Sequence, residues 1–156
     1  MTELLPNIRN TTRAIIIRDN KVLLLKKRSG EIDYFGLPGG GQDVGETLIE
    51  ALQRECVEEI GSQVKLGQLI HVADYFRQKS QSPVPAMRHL VEFVFLCQVP
   101  DNYSAQCGNS PDKHQIDVVW IELDQLPEVN LQPEYLSSIL NDTNLQTVYL
   151  GAFKQT

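Results

Sequence analysis

Three glutamates lie close together in one short segment of the chain: Glu55, Glu58 and Glu59. Wound as a helix at about 100° per residue, residues 46–60 bring these carboxylates to one face. Like charges at such spacing destabilise an isolated helix by a few tenths of a kcal/mol per pair, so the face is either solvated or neutralised by a cation. Carboxylate oxygens suit Mg²⁺, which proteins usually share with substrate phosphates. The spacing therefore indicates metal-assisted phosphate chemistry, with a solvated helix face as the alternative.

A glycine-rich segment stands directly before this helix. Residues 36–45 contain five glycines and one proline. Because glycine has no Cβ, such a backbone can approach a phosphate closely or turn a carbonyl toward a metal ion. The segment lacks the Gly-Lys-Ser or Gly-Lys-Thr of a P-loop and the glycine spacing of a dinucleotide-binding turn. It is therefore interpreted as a loop that brings backbone groups to the carboxylates.

The loop and helix together resemble the Nudix box, the signature of the Nudix hydrolases. All seven fixed residues of that motif occur at the required spacing: Gly40, Glu46, Arg54, Glu55, Glu58, Glu59 and Gly61. At typical residue frequencies such a match arises by chance on the order of once in a million chains of this length. Two positions depart from the usual pattern, since Cys56 and Ser62 stand where aliphatic residues are usual. The wider resemblance covers about residues 13–126.

This resemblance implies a metal site and a reaction. It implies that Glu55, Glu58 and Glu59 hold one or more Mg²⁺ ions, with Mn²⁺ as a substitute, together with the carbonyl of Gly39 or Gly40. Water would attack a pyrophosphate linkage and separate a nucleoside diphosphate from another group X. The metal would neutralise phosphate oxygens and activate the water. The implied substrates are nucleoside triphosphates, nucleotide sugars and ADP-ribose-like molecules.

The resemblance also assigns catalytic roles. Arg54 is expected to pair with and orient the glutamates, Glu46 among them. Glu55 and Glu58 are expected to act in catalysis, and Glu55 is a candidate general base because a carboxylate beside the water can accept its proton. An ordinary helix salt bridge, worth only about 0.3–0.5 kcal/mol, is the alternative role for Arg54.

Many relatives place a further glutamate shortly before a tryptophan of a late strand. In this chain the tryptophan is Trp120, and the only carboxylates shortly before it are Asp112 and Asp117. Asp112 is expected in a loop and is the second candidate for the base. Asp117 is expected to face solvent from a strand.

Aromatic and basic residues outside the motif are candidates for substrate binding. Tyr34 and Phe35 offer a face on which a nucleobase can stack, an interaction worth about 1–3 kcal/mol. Arg77 and Arg88 flank a loop over residues 78–85 and are candidates to meet substrate phosphates. Core packing or ordinary surface charge is the alternative for each. The marks typical of ADP-ribose and dinucleoside polyphosphate hydrolases are not met, which leaves the choice of substrate open.

Hydrophobic periodicity predicts the elements that position these residues. Aliphatic runs at 14–17 and 22–25, joined by Asp19-Asn20, predict a β-hairpin. Further strands are expected at 64–76, 88–99, 116–121 and 145–150, and loops at 78–85 and 100–112. Helices are expected at 133–140 and at 46–60, the second with an apolar stripe: Ile49, Leu52, Cys56 and Ile60. This order predicts one α/β domain over residues 1–156 with a mixed sheet, and the resemblance implies the α/β/α sandwich of the Nudix fold.

Composition narrows the function classes. The 156 residues carry a net charge of −6, with 42% hydrophobic residues, as in one ordinary globular domain. The longest apolar stretch has about five residues, far below the ~20 of a membrane span. The acidic balance argues against a stable nucleic-acid complex and against messenger-RNA decapping. Three cysteines without a CxxC pair predict reduced thiols and a cytoplasmic location.

A small nucleotide-type molecule is therefore the expected partner, and the resemblance is compatible with a homodimer. The alternative to an enzyme is a catalytically weak Nudix-fold module that binds or senses a nucleotide. Lost glutamates in the motif would favour that alternative, and none is lost.

Overall fold

The computed structural model describes residues 3–79, 83–140 and 147–156, which form an eight-stranded mixed sheet with helices on both faces. Two α-helices, α1 (Leu48–Ile60) and α2 (Leu136–Leu140), and a 3₁₀ helix (Leu123–Glu128) accompany the strands. The strands in chain order are β1 (Glu3–Arg18), β2 (Lys21–Ser29), β3 (Ile32–Gly36), β4 (Gly39–Gly41), β5 (Lys65–Gln78), β6 (Ala86–Gln98), β7 (Gln115–Glu122) and β8 (Val148–Lys154).

Strand pairing creates an open edge for the glycine-rich segment. Six strands follow the order β3-β2-β1-β6-β5-β8, while β4 pairs with β1 and β7 pairs with β2. The β1/β6 and β5/β8 pairs are parallel and the others antiparallel. The hairpin strands β1 and β2 are in register only beside their turn, at Ile17–Val22 and Arg18–Lys21. Beyond that point β2 no longer pairs with β1, and the short strand β4 pairs with this edge of β1 instead.

The turn between β1 and β2 confirms the predicted hairpin. Asp19 and Asn20 both have positive φ, 51° and 62°. This left-handed pair is what a two-residue hairpin turn requires, and Asp and Asn tolerate it better than most residues.

Two hydrophobic clusters fix α1 and α2 on opposite faces of the sheet. Strand residues alternate between faces, so neighbouring residues of β1 and β2 serve different clusters. Burying each large aliphatic side chain contributes about 1.5–3 kcal/mol. The cluster beneath α1 includes Ala14, Ile16, Leu23, Leu25, Leu52, Cys56 and Ile60. The cluster on the other face includes Ile15, Val22, Leu24, Leu126, Leu136 and Leu140.

Most of the predicted element ends shift by no more than two residues. The strands expected at 64–76, 88–99 and 116–121 are Lys65–Gln78, Ala86–Gln98 and Gln115–Glu122. Helix α2 begins three residues after the predicted start at 133, because the residues before it form bends and turns. The last strand is Val148–Lys154 rather than the predicted 145–150. Residues 145 and 146 of that prediction lie outside the described residues, and so do residues 80–82 of the predicted loop 78–85.

Two strands, β3 and β4, were not expected. The prediction of a loop over 36–45 was wrong for Gly39–Gly41, which pairs with Thr11, Thr12 and Arg13 of β1. Three glycines have little intrinsic strand preference, so only the free edge of β1 makes this segment extended. In the described part of the chain, no helix is long and apolar enough to cross a membrane.

Candidate active site

Helix α1 begins at a capping box that the sequence analysis overlooked. Thr47 is the N-cap, its hydroxyl accepts a hydrogen bond from the amide of Glu50, and the Glu50 carboxylate accepts one from the Thr47 amide. Such a cap satisfies two amides that the first turn leaves free. The helix therefore starts two residues after the predicted start at 46, which leaves Glu46 in the preceding loop.

The end of α1 is fixed by a left-handed glycine and by the following long loop. Gly61 adopts φ 69°, ψ 24°, where a side chain would be strained. The carbonyls of the last turn then find partners in that loop. The amide of Gly108 donates to the Glu59 carbonyl at 3.0 Å, and the Tyr103 hydroxyl donates to the Ile60 carbonyl at 2.8 Å. The predicted loop 100–112 thus holds the acidic end of α1 in place.

The apolar stripe of α1 is shorter than predicted. Leu52, Cys56 and Ile60 are fully buried. Ile49 is 53% exposed, so its assignment to the core face was wrong. It lies in the first turn of the helix, beyond the sheet residues that cover the other three.

The three carboxylates of α1 have different surroundings. Glu59 is 3% exposed, and its Oε1 accepts a hydrogen bond from the amide of Gly39 at 2.8 Å. Burial raises the pKa of Glu59 to about 8, although the Gly39 amide opposes the shift. Burial also raises the pKa of Glu55, with repulsion from Glu58 as a smaller cause and Arg54 opposing both. A bound cation would stabilise the ionised form of both carboxylates and lower their pKa values.

The glycine strand β4 lies against these carboxylates so closely that side chains are excluded. Gly39 has φ 138°, and a Cβ on it would lie 1.9 Å from the carbonyl oxygen of Thr12. A Cβ on Gly40 would lie 2.5 Å from Oε1 of Glu55. The glycines of the motif therefore create the space in which the Glu55 carboxylate sits.

Arg54 joins the loop to the helix face. Its Nε and Nη2 donate to the two carboxylate oxygens of Glu46 at 2.8 and 3.0 Å, a two-point pair. Its Nη1 donates to Glu55 at 2.9 Å, and its Nη2 also reaches the carbonyl of Gly41 at 3.0 Å. The hydrogen bonds from Arg54 and from the Asp43 amide lower the pKa of Glu46 to about 2. Arg54 therefore fixes the relative positions of the loop and the carboxylates.

The donor set fits a hard divalent cation. Glu55, Glu58 and Glu59 supply only oxygen atoms, as do the nearby backbone carbonyls of β4. Within the described ranges, no three acidic, histidine or cysteine side chains converge into a complete metal site. Arg54 holds Glu55 at 2.9 Å and lies 3.6 Å from Glu58, while Gly39 holds Glu59. Binding a metal therefore requires these side chains to turn toward a common point.

A cleft of about 130 Å³ lies beside β4, and basic residues line it. Gly39, Gly40 and Gly41 form one wall, beside Thr11, Leu90 and a single carboxylate, Asp112. The cationic lining residues are Arg9, Arg13, Lys27, Arg77 and Arg88. This concentration of positive charge in a chain of net charge −6 identifies the cleft as a place for an anion.

One of these cations is held by a buried network. Arg13 donates through Nε to Glu92 at 2.7 Å, and Glu92 is fully buried. The Tyr135 hydroxyl donates to the other oxygen of Glu92 at 2.5 Å. Burial alone would raise the pKa of Glu92, but the Arg13 charge and the hydrogen bonds from Tyr135 and Arg13 outweigh burial and lower it. The network orients Arg13 in the wall of the cleft.

The substrate-binding candidates lie in different places. Arg77 and Arg88 line the cleft. Tyr34 does not line the cleft, but it is half-buried and lies in register opposite Lys27, which does. Phe35 packs against the cluster under α2, away from the carboxylates. The structure therefore brings two of the four predicted residues into the cleft, places Tyr34 beside a cleft residue and packs Phe35 against the core.

The two aspartates before Trp120 also differ. Asp112 lines the cleft, where Lys27 Nζ lies 2.6 Å from its carboxylate. Burial alone would raise the pKa of Asp112, but the Lys27 charge and hydrogen bond lower it. Asp117 is exposed on β7 and accepts a hydrogen bond from the Val118 amide at 2.8 Å.

Comparison with known proteins agrees with this architecture. A family model of the NUDIX domain matches residues 8–140, and the chain belongs to that family. It is 36% identical over 86 residues to the ADP-ribose pyrophosphatase of Methanocaldococcus jannaschii, across 54% of this chain and 47% of that protein. The match thus spans about half the length of that relative.

Solved structures show the same fold. A MutT NUDIX hydrolase from Burkholderia pseudomallei is similar at 26% identity and a TM-score of 0.65, covering 87% of this chain and 99% of that chain. A NUDIX hydrolase from Nitrosomonas europaea is similar at 18% identity and a TM-score of 0.71, covering 97% of this chain and 81% of that chain. The expected Nudix fold around a mixed sheet is confirmed.

Sequence reasoning missed several residues of the cleft and its support. Arg9, Arg13 and Lys27 lie outside the motif and reach the cleft only through strand pairing. The alternation of Arg9, Thr11 and Arg13 along β1 was a signal that these residues share one face. Nothing in the sequence alone indicated that Glu92 would be buried beside Arg13.

Proposed function

We propose that this protein is a divalent-metal-dependent pyrophosphohydrolase that cleaves a nucleoside diphosphate linked to a group X. One observation carries the proposal: the three-glycine strand β4 lies against the Nudix carboxylate of Glu55 and also lines a basic cleft. A substrate lying across β4 would meet a metal-binding face and a phosphate-binding face. Family membership supports this chemistry, and the ADP-ribose pyrophosphatase similar to the chain adds one substrate to test.

In this proposal Glu55, Glu58 and Glu59 hold the metal together with the carbonyl of Gly39 or Gly40, and Mg²⁺ is the first choice. A divalent cation bound there would neutralise phosphate charge and increase the acidity of the attacking water. Mn²⁺ would substitute because it accepts the same oxygen ligands.

In this proposal, other residues position the carboxylates and accept the proton of the attacking water. Arg54 positions Glu55 through the 2.9 Å hydrogen bond and keeps β4 beside the helix through the Gly41 carbonyl. Glu55 accepts the proton of the water, as a carboxylate beside the glycine strand. Asp112 is the second candidate for that role, and Lys27 holds it at 2.6 Å.

Substrate contacts follow from the cleft. Arg77 and Arg88 bind phosphate oxygens, since guanidinium groups match phosphate geometry at two points. Tyr34, in register opposite Lys27 of the cleft, supplies a face for the nucleobase.

We also propose a cytoplasmic location, supported by three cysteines that form no disulfide in the described residues. A homodimer is a further proposal, and sedimentation of the purified chain tests it.

The test is phosphate release from nucleoside triphosphates, ADP-ribose, nucleotide sugars and dinucleoside polyphosphates with Mg²⁺, Mn²⁺ or EDTA. Glu58→Gln should abolish turnover. The exposed Glu31→Gln, in the turn between β2 and β3, removes the same charge outside the site and should retain it. Binding of a nucleotide without turnover of any substrate would instead support a nucleotide-binding or sensor module.

A further inference from the structure

Three arginines come together on one face of the sheet at the open end of the cleft. Arg77 of β5 and Arg88 of β6 are directly opposite each other in the antiparallel register. Arg9 of β1 is in register with Leu90 of β6, two residues along from Arg88 on the same face. All three line the same cleft. Three adjacent strands therefore each contribute one guanidinium to one place.

These arginines differ from the other cations of the cleft. Arg13 is paired with Glu92 at 2.7 Å and Lys27 with Asp112 at 2.6 Å. In the described part of the chain, Arg9, Arg77 and Arg88 have no carboxylate partner. We call them the arginine triad.

Like charges directly opposite on neighbouring strands destabilise a sheet. Partial burial, followed by the charges of Arg13 and Arg88, lowers the pKa of Arg77 accordingly. An anion bound among the triad would remove this repulsion.

The alternation of β4 connects the triad to the metal-binding face. A Cβ on Gly40 would meet the Glu55 carboxylate at 2.5 Å, whereas a Cβ on Gly41 would meet Nη2 of Arg9 at 2.5 Å. Neighbouring strand residues point to opposite faces, so the acidic and the basic groups contact the two sides of the same glycine strand. A phosphate chain across β4 would have the carboxylates at one end and the triad at the other.

A charge count then distinguishes substrates. A nucleoside diphosphate joined to a neutral sugar carries only the two negative charges of its diphosphate, and a bound divalent cation would offset them. Little negative charge would then remain for the three unpaired guanidiniums. A linear chain of three or more phosphates supplies the additional negative charge.

We propose that the arginine triad binds a further phosphoryl group and makes linear polyphosphate nucleotides, of the nucleoside triphosphate class, better substrates than nucleoside diphosphates bearing a neutral X group. This inference rests on the proposed hydrolysis for its effect on turnover. Binding of the phosphate chain itself rests only on the triad.

The first experiment measures binding without a metal. Inorganic triphosphate is titrated calorimetrically into the full chain in excess EDTA, with wild type, Arg77→Gln/Arg88→Gln and Arg28→Gln. Arg28 is exposed, pairs with Asp33 and lies outside the cleft, so it controls for the loss of positive charge. The double variant should weaken binding by about 100-fold, roughly tenfold for each lost charged contact, while Arg28→Gln should match wild type. Wild-type affinity in the double variant would overturn the triad as a binding site.

The second experiment compares kcat/KM for ATP and adenosine tetraphosphate with that for ADP-ribose and ADP-glucose. Wild type should prefer the polyphosphates by at least about tenfold, and the double variant should lose that preference because its kcat/KM falls much further for the polyphosphates than for the ADP-sugars. Preference for the ADP-sugars, or equal losses on both groups, would overturn the proposed selectivity.

The two experiments separate the two proposals. Triad-dependent binding of triphosphate without hydrolysis of any nucleotide would refute the proposed function and leave the anion site standing. Hydrolysis without triad-dependent binding or preference would leave the enzyme standing and refute the anion site.

Discussion

Replacing Gly40 with alanine tests how strongly the reaction depends on the position of the Glu55 carboxylate. A Cβ at this position would lie 2.5 Å from Oε1, 2.6 Å from Cδ and 2.9 Å from Oε2 of Glu55. Gly40 is not in the left-handed region, so alanine adds no backbone strain there. The clash falls on the free end of a side chain, which can move.

The displacement can be worked out from these distances. Ordinary contact with a Cβ begins at 3.4 Å, so Oε1 must retreat by the difference from 2.5 Å, or about 0.9 Å. Misplacing a reacting group by about 1 Å can cost on the order of 100-fold in rate. The movement of a carboxylate should cost less than about 1 kcal/mol of folding free energy, or about 3 °C in Tm. We therefore expect a large loss of kcat in a folded protein.

Gly41→Ala is the matched control on the same strand. Its Cβ would meet Nη2 of Arg9 at 2.5 Å, on the other face of β4, and leave Glu55 in place. It should raise KM for a polyphosphate substrate and largely spare kcat. The assay is steady-state kinetics with Mg²⁺ together with thermal unfolding of both variants. Wild-type kcat in Gly40→Ala, or the same loss of kcat in both variants, would refute the reasoning.

Buried groups around the site give three further tests. Because the pKa of Glu59 is raised to about 8, the folded metal-free protein keeps a proton that the unfolded chain loses, so its Tm in EDTA should fall from about pH 5 to pH 8. Glu59→Gln should remove that decline, and an unchanged decline would assign it to another group. Tyr103→Phe removes the hydrogen bond to the Ile60 carbonyl and should cost about 1 kcal/mol in urea unfolding; no change would show that water replaces it. Glu92→Gln leaves Arg13 buried beside a neutral group and should cost about 3 kcal/mol at pH 7. Since the pKa of Glu92 is lowered, this difference should shrink as the pH falls below 4.5, and a constant difference would contradict the ion pair.

The acidic face of α1 was largely readable from the sequence. Glu55, Glu58 and Glu59 share one helix, and helix geometry alone brings such spacing together. The preceding glycines indicated close contact between backbone and carboxylate, which Gly40 confirms at Glu55. The spacing of residues along the chain is sufficient to predict a site when all of its groups belong to one continuous segment.

The differences within that face required the structure. Glu59 belongs to the same acidic cluster as Glu58 in the sequence, yet it is 3% exposed and held by the Gly39 amide. Ile49 matches the apolar stripe but lies beyond the sheet that covers it. Burial depends on what packs against a residue, and helical periodicity describes only the direction in which it points.

The family, the hairpin and the helix with its carboxylates could be predicted from the sequence, because each depends on residues close together in the chain. The basic cleft could be recognised only in the folded chain. Arg9, Arg77 and Arg88 lie up to 79 residues apart, and strand pairing between β1, β6 and β5 brings them to one face. Pairing of β3 with β2 places Phe35 against the core, and pairing of β4 with β1 extends the glycines. Register between distant strands is set by the packing of the whole sheet, which no local pattern of residues contains.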